Sequence, residues 1–344
     1  MRRRMLLAAG ALAPLAAQAK GIKGRPVRFA GREGATLAGT LLLPMTSEMQ
    51  YVPGVVLIAG SGPTDRDGNN PLIPARIDLL KQIAELLARA GIASLRYDKR
   101  GIGASTPRPR DSLAGQERFF AWDNFIGDVQ AAHAELLRHD EVKPYATALI
   151  GHSEGGLLAI AAAAAPAMAA KRPHALVLAA TPGRKLADIV RSQVARNGPA
   201  FASDADRIMT AIAAIGHVPE DVPRELQLIF PSYAGSFLQG ALAFDPAATL
   251  ARLDNACLLL HGGADSQIVP LDDIQPLIDV MSRRAASSEA LVVPAVGHNL
   301  KAVTDASDLD QAHELARAPA GRLIAAPRRP IIGPRKRRNA WASR

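Results

Sequence analysis

Between residues 25 and 180 the chain repeatedly passes from a short apolar run to a longer segment that reads as a helix. Val27-Arg28-Phe29 and the stretch from Ala35 to Pro44 have the pattern of an antiparallel strand pair. Gly54-Val55-Val56-Leu57-Ile58-Ala59 is apolar without interruption, as expected of a strand covered on both faces. Ile92 to Asp98, Ala146 to Ile150 and Leu176 to Ala180 read as further strands, with helices near Ile77–Ala90, Trp122–Arg138 and Leu157–Ala170. This alternation predicts an α/β fold with a doubly wound, mostly parallel sheet.

The strand rhythm stops over about residues 183–250. Ile189, Val194, Ile208, Ile212, Leu226, Ile229, Phe230 and Leu238 fall there in mostly helical segments. The pattern predicts a helical cap inserted between two strands, in which any single apolar residue packs on the core rather than touching substrate. The rhythm then resumes with a strand at Ala256–Leu260, a helix over about Leu271–Arg284, a short strand at Ala290–Pro294 and a helix near Ser307–Ala316.

Composition changes this picture mainly at the two ends. The 344 residues are 48% hydrophobic, enough to bury the core of one domain over residues 20–316. Arg2-Arg3-Arg4, the apolar Met5–Ala17 and Ala17-Gln18-Ala19 predict a signal peptide over residues 1–19 and export to the periplasm or medium. The basic residues of this start and of the tail outweigh the formal charge of +9, so the body between them is slightly acidic. The tail, residues 317–344, contains nine Lys or Arg and no acid, and reads as disordered. It offers weak contact with an anionic surface; no nucleic-acid partner is expected. Cys257, the one cysteine, lies in a buried strand and reads as a packing residue. No cluster has metal-ligand spacing, and no cofactor is implied.

The chemistry concentrates after the strands. Ala146–Ile150 runs into Gly151-His152-Ser153-Glu154-Gly155-Gly156, a G-x-S-x-G turn that presents a serine between strand and helix. A serine nucleophile needs a base and an orienting acid. His261-Gly262-Gly263-Ala264-Asp265 puts Asp265 at the end of the strand at 256–260, and Gly297-His298 follows the strand at 290–294. The order Ser153, Asp265, His298 suits nucleophile, acid and base; Asp272 and Asp273 are substitutes for the acid that read as first-turn residues of the next helix. Gly60-Ser61-Gly62-Pro63 follows the strand at 54–59 and supplies backbone N–H groups, so the N–H groups of Glu154 and Ser61 are the expected oxyanion donors.

Together Gly60-Ser61-Gly62-Pro63, Asp65-Arg66-Asp67, Tyr97-Asp98-Lys99-Arg100-Gly101-x-Gly103 and the Gly151–Gly156 turn resemble bacterial α/β-hydrolase esterases of the serine aminopeptidase-like branch. The resemblance spans roughly residues 25–316. It implies the α/β-hydrolase fold and a serine hydrolase that cleaves carboxylic esters or related acyl bonds of small molecules, a carboxylesterase-like activity. Two alternatives stay open: a serine peptidase acting on short peptides, and a non-catalytic binding protein that uses the basic tail. Asp65, Arg66, Asp67 and Arg100 read as ion-paired loop residues that shape the oxyanion loop. Such hydrolases usually end in a helix packed on the sheet, which is not evident here beyond residue 316.

Overall fold

The computed structural model describes residues 23–44, 51–73, 75–303 and 314–325. The export segment 1–19, most of the helix expected at 307–316 and the tail beyond residue 325 lie outside the described residues. The strands are β1 (Lys23–Ala30), β2 (Thr36–Leu43), β3 (Val52–Ile58), β4 (Ala93–Tyr97), β5 (Val142–His152), β6 (Ala175–Ala179), β7 (Ala256–Gly262) and β8 (Ser288–Val293). They form an 8-stranded sheet in the order β1-β2-β4-β3-β5-β6-β7-β8. The first hairpin is antiparallel, as expected from its sequence, and β2 meets β4 antiparallel; every later pairing is parallel.

The helices are α1 (Leu79–Arg89), α2 (Leu113–Phe119), α3 (Trp122–Leu136), α4 (Glu154–Ala164), α5 (Leu186–Asn197), α6 (Ala202–Ile215), α7 (Gly235–Ala243), α8 (Pro246–Leu250), α9 (Gln275–Arg283) and α10 (Arg317–Ala325). They explain why β3 is apolar throughout. Val55 and Leu57 join a core with Leu80, Ile83 and Leu87 of α1, whereas Val56 and Ile58 join a core with Val129 of α3 and Leu158 of α4. Successive side chains of one strand therefore feed opposite layers.

The cap is present as four helices, α5 to α8, between β6 and β7. It carries its own core, in which Val194, Ile208, Ile212, Leu226, Phe230 and Leu238 are buried. An aromatic seam joins it to the sheet layers: Phe237 lies 5.3 Å from Trp122 and 5.2 Å from Phe125, and Tyr233 lies 5.2 Å from Phe120. Because β5 and β6 are parallel, the insertion leaves the same sheet edge that carries Ser153.

Three local readings change. Helix α4 spans Glu154–Ala164 rather than Leu157–Ala170, because it grows directly out of the serine turn and stops at the extended Ala165 that precedes Pro166. Helix α9 starts at Gln275 rather than Leu271, since residues 267–269 are held in a turn by the Asp265 and Asp273 carboxylates. Residues 317–325, expected to begin a disordered tail, instead form α10. Leu323 is fully buried with the α1 core, and Arg322 pairs with Glu289 of β8 at 2.8 Å, so α10 is a final helix, packed on α1, that the sequence did not reveal. Its short apolar set, followed by a basic Pro-spaced run, hid it from pattern reading.

Two stability predictions follow from these contacts. Leu323→Ala leaves a cavity against α1 and lowers unfolding free energy by about 3 kcal/mol, measurable by urea titration. His133 of α3 is buried against Thr147 at 2.9 Å, and burial, then the charges of His174 and Lys171, pull its pKa from 6.5 down to about 4. The unfolded chain binds this proton first, so stability drops as pH falls from about 6.5 toward 4, by at most about 3 kcal/mol from this group. His133→Gln flattens that part of the stability–pH curve.

Candidate active site

Ser153 sits between β5 and α4 with φ 53° and ψ −121°, a backbone conformation that non-glycine residues rarely adopt. The surrounding turn makes it tenable. A Cβ on Gly151 would collide with the backbone of Gly155, and a Cβ on Gly155 with the carbonyl of Ile58 in β3. The Ser153 N–H donates to the Ala179 carbonyl at 2.8 Å, and its carbonyl accepts from Gly156 at 2.9 Å. The start of α4, with the helix dipole, favours negative charge at this point.

Asp265 lies in the turn after β7, and His298 in the turn after β8. The two meet directly, with His298 Nδ1 donating to Asp265 Oδ2 at 2.7 Å. The other carboxylate oxygen accepts the N–H groups of Gln267 at 2.9 Å and Ile268 at 3.0 Å. Burial pushes the Asp265 pKa up, but the charge and hydrogen bond of His298, the charge of His261 and the Ile268 N–H outweigh it, so the carboxyl is held below its ordinary range. The acid and base turns are tied by the Ala264 N–H, which donates to the Val296 carbonyl at 2.9 Å.

His298 is joined to the serine turn through its neighbour. His152 Nε2 donates to the His298 carbonyl at 3.0 Å, and the two rings lie 4.9 Å apart. Burial, then the charge of His298, pulls the His152 pKa down to about 3, so this histidine is neutral at pH 7. His261 is buried beside Asp265 and donates from Nε2 to the Ile268 carbonyl at 2.9 Å. Burial lowers its pKa as well.

The structure separates Asp265 from its two substitutes. Asp272 is exposed. Asp273 is buried, but it accepts from the Val269 N–H at 2.7 Å and from Arg184 Nη1 at 2.9 Å, binding the base of the cap to the α9 turn.

The loop after β3 presses on the serine turn. A Cβ on Gly60 would lie 3.1 Å from His152 Nδ1 and 3.4 Å from the Ser153 Cβ. Ser61 follows, exposed, with its carbonyl accepting from Thr64 Oγ1 at 2.7 Å. Arg66, Asp67 and Arg100 form structural pairs, as their sequence context suggests, whereas Asp65, expected to be ion-paired, instead accepts the backbone N–H groups of Asp67 and Asn69 within its own loop. Arg66 grips Asp98 through Nε at 3.0 Å and Nη2 at 2.6 Å, and Arg96 holds Asp67 at 2.8 Å. Arg100 holds Asp128 of α3 with Nε at 2.8 Å and Nη2 at 2.7 Å, both side chains being buried.

Sequence reasoning gave no role to Lys99. It is buried, donates to the Gly60 carbonyl at 2.6 Å and approaches Glu154 Oε1 at 3.7 Å. Its only signal was its place within Asp98-Lys99-Arg100, immediately after a buried strand.

With this geometry in view, the comparisons with known proteins agree. Esterase EstD of Thermotoga maritima is 28% identical over 239 residues, covering 69% of this chain and 52% of that protein. The chain thus spans about half the length of this curated relative. Est1E of Butyrivibrio proteoclasticus, solved with ferulic acid bound, shares 18% identity and a TM-score of 0.54, over 79% of this chain and 91% of that one. The Pyrococcus furiosus esterase Pf2001 matches with a TM-score of 0.51 and 16% identity, over 79% and 83%. These likenesses establish the α/β-hydrolase fold. Residues 76–300, more than half of the chain, match the family described as serine aminopeptidase, S33, and the protein belongs to that family.

Proposed function

We propose that the protein is a serine hydrolase that cleaves carboxylic esters or related acyl bonds of small molecules through an acyl-enzyme on Ser153. The observation that carries this reading is the 2.7 Å bond between His298 Nδ1 and Asp265, set beside a serine held in a strained turn at a helix N-terminus. The related proteins named as esterases support the choice of ester over peptide.

The bond to Asp265 places the proton of neutral His298 on Nδ1 and leaves Nε2 as the base. Nε2 takes the Ser153 proton as Oγ attacks the substrate carbonyl. The carbonyl oxygen becomes an oxyanion, stabilised by the N–H groups of Glu154 and Ser61. The imidazolium, balanced by the Asp265 carboxylate, returns its proton to the departing alcohol as the carbon–oxygen bond breaks. Water, deprotonated by the same Nε2, then attacks the acyl-enzyme, and the acid leaves as Ser153 regains its proton. Asp265 stays ionised throughout, in line with its lowered pKa.

We also propose export, a reading supported by the arginine-led apolar start at Arg2–Ala17. Among the described residues no helix is long and apolar enough to cross a membrane.

Treating the protein with a fluorophosphonate should add one label, on Ser153, detectable by peptide mass spectrometry. Ser153→Ala should lose both the label and p-nitrophenyl butyrate turnover; labelling elsewhere, or turnover retained in this variant, overturns the assignment. Asp265→Asn should lower kcat by about 10³–10⁴-fold, because the amide no longer enforces the Nδ1–H tautomer. Steady-state kinetics should show KM changing far less.

A further inference from the structure

Lys99 is an expensive residue to bury, and its contacts indicate what the expense secures. Burial lowers its pKa, and the charge of Glu154, 3.7 Å away, opposes that shift. An apolar side chain of similar length would fill the same volume without removing an ammonium from water. The flanking residues are committed elsewhere, Asp98 to Arg66 and Arg100 to Asp128. Lys99 alone of the three reaches the serine turn, contacting Gly60 on one side and Glu154 on the other.

The contact with Gly60 falls on a particular peptide unit. The Gly60 carbonyl and the Ser61 N–H share one amide plane, and in a trans peptide they point in opposite directions. A donor that fixes the carbonyl therefore fixes the N–H. The Gly60 carbonyl is drawn to Lys99 Nζ at 2.6 Å, while Gly60 itself packs on Ser153. A cation on the carbonyl oxygen also draws electron density through the amide, which strengthens its N–H as a donor.

We propose that Lys99 is a positioning residue for the oxyanion hole: by holding the Gly60 carbonyl it aims and polarises the Ser61 N–H, and through Glu154 it fastens that peptide to the serine turn. The inference rests on the serine-hydrolase reading above. Lys99 touches no reacting atom; it acts through the peptide it holds. Its effect belongs to the tetrahedral state, in which charge has moved onto the substrate oxygen, and not to ground-state binding.

The test compares wild type with Lys99→Met, and with Lys99→Met/Glu154→Gln, which leaves no unpaired buried carboxylate. Each is assayed for p-nitrophenyl butyrate kcat and KM, for melting temperature, and for inhibition by a trifluoromethyl ketone and its methyl ketone counterpart. The fluorinated ketone adds Ser153 to form an oxyanion, whereas the methyl ketone reports ground-state binding. In both variants kcat should fall by about 10²-fold with KM changed less than about threefold, and trifluoromethyl ketone affinity should weaken by a similar factor. Methyl ketone affinity should hold, and the double variant should regain melting temperature without regaining kcat. A folded double variant with wild-type kcat overturns the proposal, as does a kcat loss that the trifluoromethyl ketone does not share. Wild-type protein that neither takes a fluorophosphonate nor turns over overturns the hydrolase reading and this proposal together; a labelled, active wild type with an indifferent Lys99 overturns only this one.

Discussion

The backbone at Ser153 is the constraint around which the rest is arranged. A residue with a side chain is held at φ 53°, and this persists because strand, turn and helix meet at distances that only hydrogen can occupy at Gly151 and Gly155. The strain is carried by the two-sided packing of β5 and α4. Leu149 feeds one core and Ile150 the other, while α4 is buried along nearly its whole length. A helix so apolar needs cover on every side, and α3 and α8 of the cap contribute to that enclosure. Ala180 and Ala295, after β6 and β8, also have positive φ, so the strained positions gather at the sheet edge that bears the site.

Charge organises the same edge. Asp98, Lys99 and Arg100 follow β4 in succession: Asp98 holds the loop after β3, Lys99 reaches both that loop and the serine turn, and Arg100 holds α3. The Lys99 and Arg100 pairings are buried and the Arg66–Asp98 pairing is half-buried, and each is geometrically specific, so each holds a loop in register rather than merely adding attraction. The loop after β3 would otherwise be a long irregular segment. Asp65 closes it from within by accepting the N–H groups of Asp67 and Asn69, both at 2.9 Å. The Gly60–Ser61 peptide thus stands on a scaffold of paired charges, which explains why charged residues crowd this edge of the sheet.

The histidines show how environment divides one residue type into several roles. His133 and His152 are buried and neutral, His261 braces the turn that carries Asp265, and His298 alone donates directly to that carboxylate at hydrogen-bond length. The carboxylate is shared in space by His261, whose Nε2 stands 3.5 Å from Oδ2. The bond from His298 is the shorter, at 2.7 Å.

Much of this was legible along the chain. The alternation of apolar runs and helices determined the α/β class, since a strand apolar on every residue demands cover on both faces, as Val55 to Ile58 obtain. The glycine spacing around Ser153 marked the turn, and chain order after successive strands picked out Asp265 and His298. These signals are local: a few adjacent residues carry the conformational or chemical requirement. What tertiary structure decided is long-range. Which aspartate His298 meets, Asp265 and not Asp273, depended on which turn faces it, and α10 packs where α1 offers Leu323 a buried place. Lys99 acquired its role from a carbonyl 39 residues earlier in the chain. Sequence spells out which groups a segment can offer; only the folded chain determines which of them come within hydrogen-bond distance, because that depends on the packing of elements remote from one another in sequence.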